Sequence, residues 1–149
     1  MKGPVICGVD DSSAAAAIDV AHDLAERYEL PLVYAHVLDR GEDRDEAEER
    51  LHAAAARNDG EVVIDQGHPA DRLVTLADER HAAFLVLGNH GPRSSLLGSI
   101  SADVARRATC PVVVVPPTTA ALRVEPASEA RVEGGIVRFG LSHVVRQVA

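Results

Sequence analysis

Short unbroken apolar runs alternate along this chain with longer stretches in which apolar residues recur at every third or fourth position. Residues 5–9, 32–38, 62–64, 84–87 and 111–115 are such runs and predict five strands, the first suited to burial on both faces and the fourth, too short for a helix and set against Gly88, also buried. Between them, Ala14, Ala17, Ile18, Ala21, Leu24, Ala25 and Tyr28 mark the inward stripe of a first helix that stops near Pro31. Asp10-Asp11-Ser12-Ser13 supplies its polar start and cap. An acidic run from position 42 to 49 leads into a second helix with Ala47, Leu51, Ala54 and Ala55 inward, and reads as a solvated face. Asn58-Asp59-Gly60 ends it. Pro69 opens a third helix with Ala70, Leu73, Val74 and Ala77 on its core side, and a fourth spans about residues 99–108.

Strand and helix therefore alternate up to Pro116-Pro117. That alternation predicts an α/β fold: a mostly parallel sheet, right-handed crossovers and helices on both faces. Ligands of such sheets bind beyond the carboxyl ends of the strands, where strand order reverses. Residues 1–117 form one α/β domain in this reading, and 118–149 form a C-terminal extension of different character. Within the extension, alternating residues around Gly134-Gly135 predict a small β-hairpin. Leu141, Val144, Val145 and Val148 recur at helical spacing and predict a short amphipathic helix, with a partly disordered tail as the alternative.

Composition narrows the classes. A chain of 149 residues suits a single domain, and a net charge of −8 with a pI near 5.3 gives no drive toward nucleic acid or anionic membranes. No segment has the length and apolarity of a membrane span and the N-terminus runs straight into a strand, so a cytoplasmic location is expected. Cys7 and Cys110 lie beside strands and outside C-x-x-C spacing, which predicts packed, reduced thiols. The 7 histidines lack metal-ligand spacing and read as solvated or locally hydrogen-bonded. No metal site and no catalytic group is predicted.

The chemistry concentrates in one stretch. Residues 84–87 end at Gly88-x-x-Gly91, and Gly98-Ser99-Ile100-Ser101 opens the fourth helix, so backbone N–H groups and two hydroxyls converge on one helix N-terminus. Such an end attracts anions, phosphate above all. It lacks the Lys of a Walker loop, and the first strand lacks the G-x-G-x-x-G of a dinucleotide fold. On the local pattern alone, a phosphate site and a simple turn with a serine cap stand level.

The order of the pieces goes further. Val5-Ile-Cys-Gly-Val-Asp10-Asp-Ser12, Ala35-His36-Val37, Gly67-His68-Pro69-Ala70, Leu87-Gly88-Asn-His-Gly91 with Gly98-Ser99-Ile-Ser101, and Ala108-Thr-Cys110-Pro111-Val-Val-Val-Val115 together resemble the universal stress protein family of the UspA type, from Lys2 to about Pro116. The resemblance implies a Rossmann-like sandwich with a five-stranded parallel sheet of order 3-2-1-4-5, and a crevice between strands one and four. It implies ATP or AMP as ligand, with Mg²⁺ as a companion ion. Asp10 and Val37 would then lie at the adenosine end, and Gly88, Gly91, Gly98, Ser99 and Ser101 would cradle phosphate with the backbone of Leu87 and Ile100. Only 6 residues, 92–97, separate Gly91 from Gly98, where the family motif has nine, so the cradle is shortened. Arg93 is its one Arg or Lys and a phosphate partner in this reading.

The function expected is a nucleotide-binding regulatory module of stress physiology. A nucleotide-independent, dimerising interaction protein of the same family is the alternative that the shortened loop favours. Slow ATP hydrolysis is a third, but no Lys, Arg pair or general base serves it, so no enzyme is expected. The family's strand order leaves strand five at an exposed edge, which implies a homodimer through that edge with the tail reaching the partner.

Overall fold

The computed structural model describes residues 2–10, 14–56, 58–88, 99–116, 131–133, 136–139 and 144–147. The apolar runs form strands β1 (Val5–Gly8), β2 (Leu32–Leu38), β3 (Glu61–Gln66), β4 (Phe84–Gly88) and β5 (Val112–Val115). The stretches of helical spacing form α1 (Ala14–Tyr28), α2 (Arg44–Ala55), α3 (Pro69–Glu79) and α4 (Ser99–Arg107). Local chemistry sets the helix starts. The Asp43 carboxylate accepts hydrogen bonds from the Asp45 and Glu46 N–H groups at the head of α2, and Pro69 occupies the first turn of α3, where no N–H is needed.

The five strands pair in parallel in the order β3-β2-β1-β4-β5. β1 is central, with Val5 beside Leu32 on one side and Phe84 on the other. Alternate residues of one strand enter two separate cores. Val5, Cys7, Tyr34, Phe84 and Val86 pack with Ala17, Val20 and Leu24 of α1 and Leu51 of α2. Ile6, Val33, Leu85 and Val112 pack with Leu73, Val74 and Ala77 of α3 and Val104 of α4. With both faces covered, β1, β4 and β5 carry no polar side chain, which explains their unbroken runs; β3, at the edge of the sheet, is only half-buried and carries Glu61, Asp65 and Gln66. Tyr28 closes the first core, its ring 5.5 Å from that of Phe84.

Beyond position 130 the structure confirms one expectation and corrects two. Strands β6 (Arg131–Glu133) and β7 (Ile136–Phe139) form the predicted hairpin, with Glu133 paired to Ile136 across the Gly134-Gly135 connection. The predicted helix is instead strand β8 (Val144–Gln147), antiparallel to β7 on one side and to β5 on the other. The reason is backbone satisfaction. So short a segment pays the nucleation cost of a helix for few hydrogen bonds, whereas a strand inserted between two others pairs along both sides. The second correction concerns the edge of β5: β8 of the same chain fills it, with Val113 beside Arg146 and Val114 beside Val145. The expected homodimer contact through β5 therefore has no free edge to use while β8 is seated.

Two tests follow from this packing. Cys7 is fully buried and Cys110 nearly so; burial drives the Cys7 thiol far above its ordinary range and pushes Cys110 up to about 11. Only thiolate alkylates readily, so iodoacetamide should label neither cysteine in the native chain near neutral pH and both after denaturation, as read by mass spectrometry. Val145→Pro removes a β8 ladder N–H and should uncover the apolar edge of β5. Sedimentation velocity at micromolar concentration should then show more self-association than in wild type; unchanged sedimentation would mean that the edge needs no cover.

Candidate functional site

β1 is followed in sequence by β2 on one side, and β4 lies on the other, so strand order reverses between β1 and β4 and their carboxyl ends splay open there. A cavity of about 330 Å³ occupies this point, within the size range of small-ligand sites. Its polar rim is Asp10 after β1, Asp39 after β2, Gly88 at the end of β4 and Ser101 in the first turn of α4. Val37, Leu73, Leu87 and Ile100 supply apolar walls. Gly8 leaves the floor open, since a Cβ there would meet Leu87 Cδ2 at 2.6 Å.

Each element places its residue for a physical reason. Ser101 is buried and its hydroxyl donates to the Gly88 carbonyl at 3.4 Å, tying the start of α4 to the end of β4. The first N–H groups of α4 have no partners inside the helix and carry the positive end of its dipole. Ile100 is the one large apolar side chain among the described residues that is clearly exposed, and it borders the cavity mouth. No Lys or Arg lines the cavity among the described residues. An anion bound here would be held by helix N–H groups and the Ser99 hydroxyl, the Ser101 hydrogen being given to Gly88, and a polar base or sugar edge would face the carboxylates.

Of the residues singled out from sequence, Asp10, Val37, Leu87, Gly88, Ile100 and Ser101 come together around this one cavity. Ser99 begins α4 beside them and is exposed. Gly91, Arg93 and Gly98 lie outside the described residues, as do Asp11, Ser12 and Ser13. Sequence reasoning missed Gly8, Val9, Ala35, His36, Asp39, Pro69 and Leu73 as lining residues. Gly8 and Asp39 had a signal, since each lies at the carboxyl end of a predicted strand beside the reversal. Leu73 had none, because its apolar stripe serves the core equally well.

Beneath the rim runs a buried polar chain that was also missed. His36 is 8% exposed; its Nδ1 lies 2.6 Å from the Val9 carbonyl and its Nε2 lies 2.8 and 2.9 Å from the Glu42 carboxylate oxygens. Glu42 also accepts from the Asp39 N–H at 3.0 Å and from Arg50 at 2.7 Å. Burial opposes ionisation of Glu42, but the Asp39 N–H, His36 and Arg50 outweigh it and hold the carboxyl below its ordinary range. At the far edge of the sheet, burial likewise opposes and Arg72 overcomes, holding Asp65 below the ordinary range.

The same architecture occurs in known proteins. A profile described as the universal stress protein family matches residues 39–116, more than half of the chain. Universal stress protein Rv1636 of Mycobacterium tuberculosis is 48% identical over 73 residues, which is 47% of this chain and 49% of that protein. The chain spans about half the length of the curated relatives it matches. A universal stress protein solved in complex with cAMP superposes with a TM-score of 0.67 at 31% identity, over 79% of this chain and 100% of that one. One from Archaeoglobus fulgidus in complex with dAMP gives 0.61 at 25%, over 75% and 96%. Fold, strand order and matched segment agree, and the chain belongs to the universal stress protein family.

Proposed function

We propose that this chain is an adenine-nucleotide-binding regulatory module, with ATP or AMP as its ligand. The observation that carries the reading is the cavity at the β1/β4 reversal, with carboxylates on one side and the donor-rich start of α4 on the other. The related structures solved with cAMP and dAMP support adenine as the base. In this assignment Asp10 and Val37 meet the adenosine end, while Gly88, Ser99, Ser101 and the first N–H groups of α4 meet phosphate. Mg²⁺ would accompany a polyphosphate as counter-charge, since no Lys or Arg lines the described part of the cavity. Two copies could pair through β5 only if β8 left it, so the module is proposed to act without that contact.

Binding should appear as stabilisation. At a free nucleotide concentration of about 100 times Kd, linkage contributes about 2.7 kcal/mol, which for a chain of this length raises Tm by roughly 5 to 10 °C. Asp10→Ala should cut affinity about 10- to 100-fold by removing a charged hydrogen-bond partner, and Gly8→Val should shrink the ligand-dependent rise by forcing Leu87 into the cavity. Differential scanning fluorimetry with ATP, ADP, AMP and cAMP, each with and without Mg²⁺, checks this. If none moves Tm of the wild type, the nucleotide-independent interaction protein replaces the present reading.

Turnover is expected to be negligible beside ordinary enzymes, whose kcat is typically about 1 to 1,000 s⁻¹. The motive is a site of neutral donors without a positioned general base or paired cations among its described residues. A phosphate-release assay settles the point: sustained ATP hydrolysis above about 1 s⁻¹, lost in Gly8→Val, would make the protein an enzyme.

A further inference from the structure

His36 sits on β2 between Ala35 and Val37 and borders the cavity with them; it also borders a smaller pocket with Ile18 of α1 and Arg50 of α2, and its ring meets the residue that follows β1 and the loop that follows β2. The last paired residues of β1 and β2 are Gly8 and Ala35. Beyond them, the Val9 N–H donates to the Ala35 carbonyl at 2.8 Å, and the Val9 carbonyl faces His36 Nδ1. His36 thus extends the strand contact by one residue and stops where Asp10 begins. On its other side it fastens the loop after β2. Glu42, which meets His36 Nε2, also takes the Asp39 N–H, and the Glu42 N–H returns to the Asp39 carbonyl at 3.2 Å.

The two ring partners described, the Val9 carbonyl and the Glu42 carboxylate, argue for a charge on the ring. A backbone carbonyl oxygen only accepts, and so does the ionised Glu42 carboxylate. A neutral imidazole has one N–H and one bare lone pair, so either neutral tautomer would set a lone pair against an oxygen. Both contacts are satisfied together only when both nitrogens carry protons. Among the described residues, the charged groups around the ring are Asp10 at the end of β1, Asp39 and Glu42 in the loop, and Arg50 from α2; α1 presents Ile18, and β3 sets Ile64 beside it. Three carboxylates favour the added proton. Arg50 opposes it, but shares Glu42 rather than facing the ring alone.

We propose that His36 is a positioning residue of the nucleotide site: held as an imidazolium between the Val9 carbonyl and Glu42, it fixes the strand ends from which Asp10 and Asp39 border the cavity, and couples ligand affinity to pH. The ligand half of this inference rests on the nucleotide reading above; the imidazolium half does not. The sign follows from the partners. A histidine that gains a carboxylate contributes while protonated, and its contribution is lost as pH rises through its folded titration. Glu42, held low, contributes above the ordinary carboxyl range and is lost only as pH falls through its depressed value. Affinity should therefore be flat around neutrality and fall on the alkaline side.

The test combines nitrogen-15 NMR of the nucleotide-free chain with calorimetry of AMP binding. Both His36 ring nitrogens should be protonated near neutral pH, and Glu42→Gln should move that titration to lower pH. AMP affinity of the wild type should drop about tenfold between about pH 6 and pH 9, the loss expected for one charge-assisted hydrogen bond. His36→Gln, which can donate to only one side without a charge, should bind about tenfold more weakly at the acid end and show no alkaline drop. Glu42→Gln, should His36→Gln fail to fold, should shift the drop to lower pH. A ring protonated on one nitrogen alone overturns the imidazolium. A doubly protonated ring with a pH-independent wild-type affinity overturns its link to the ligand. No AMP binding at any pH overturns the nucleotide reading and the ligand half with it, while the NMR result still decides the charge on the ring.

Discussion

The position of β1 constrains everything else. A strand hydrogen-bonded on both sides and covered on both faces must be apolar throughout, and its neighbours must arrive by crossovers that put helices above and below. Because β2 follows on one side and β4 is reached only after two further helices, the chain has to reverse direction across the sheet at β1. The reversal leaves a gap at the carboxyl ends that no side chain of the two cores fills. The cavity is thus a by-product of topology, and Gly8 keeps it from being closed by a Cβ.

Much of this was legible from the chain. Strands β1, β2, β4 and β5 were plain because burial on two faces leaves unbroken apolar runs, and α1 and α3 because burial on one face leaves a stripe. Gly88 and Ser101 could be named because turns and helix starts have their own residue preferences, whereas Asp10 and Val37 were named through the family resemblance. The arrangement of His36, Glu42 and Arg50 was not legible. A histidine inside an apolar run and a Glu and an Arg in a charged helical region each have a commonplace reading, and only the fold brings them into contact. The tail failed for another reason. Four apolar residues at helical spacing suggest a helix, but β-branched residues beside an unfilled sheet edge are decided by that edge rather than by their own periodicity.

The surface is held differently from the cores. Arg80 and Glu61 form a two-point pair between the end of α3 and the start of β3, at 2.8 and 3.0 Å. Arg107 reaches both Asp71 and Asp103, joining α4 to α3. These side chains are substantially exposed, where solvent screening leaves such pairs little weight in stability. Their use is in orientation: the second links the helix that begins at Ser99 to the one that begins at Pro69, so both cavity-bordering starts are held in fixed relation.

The seating of β8 against β5 also bears on how the protein is made. A chain synthesised from its N-terminus completes β1 to β5, and with them both cores, while residues 144–147 are still to come. Throughout that interval the four valines of β5 present an unpaired, apolar backbone edge, the kind of template that recruits a strand from any nascent neighbour. The order of the strands in space is thus also a schedule: the segment that covers the sheet edge is made only after both cores are complete, and the edge stays open for as long as the residues between β5 and β8 take to be synthesised.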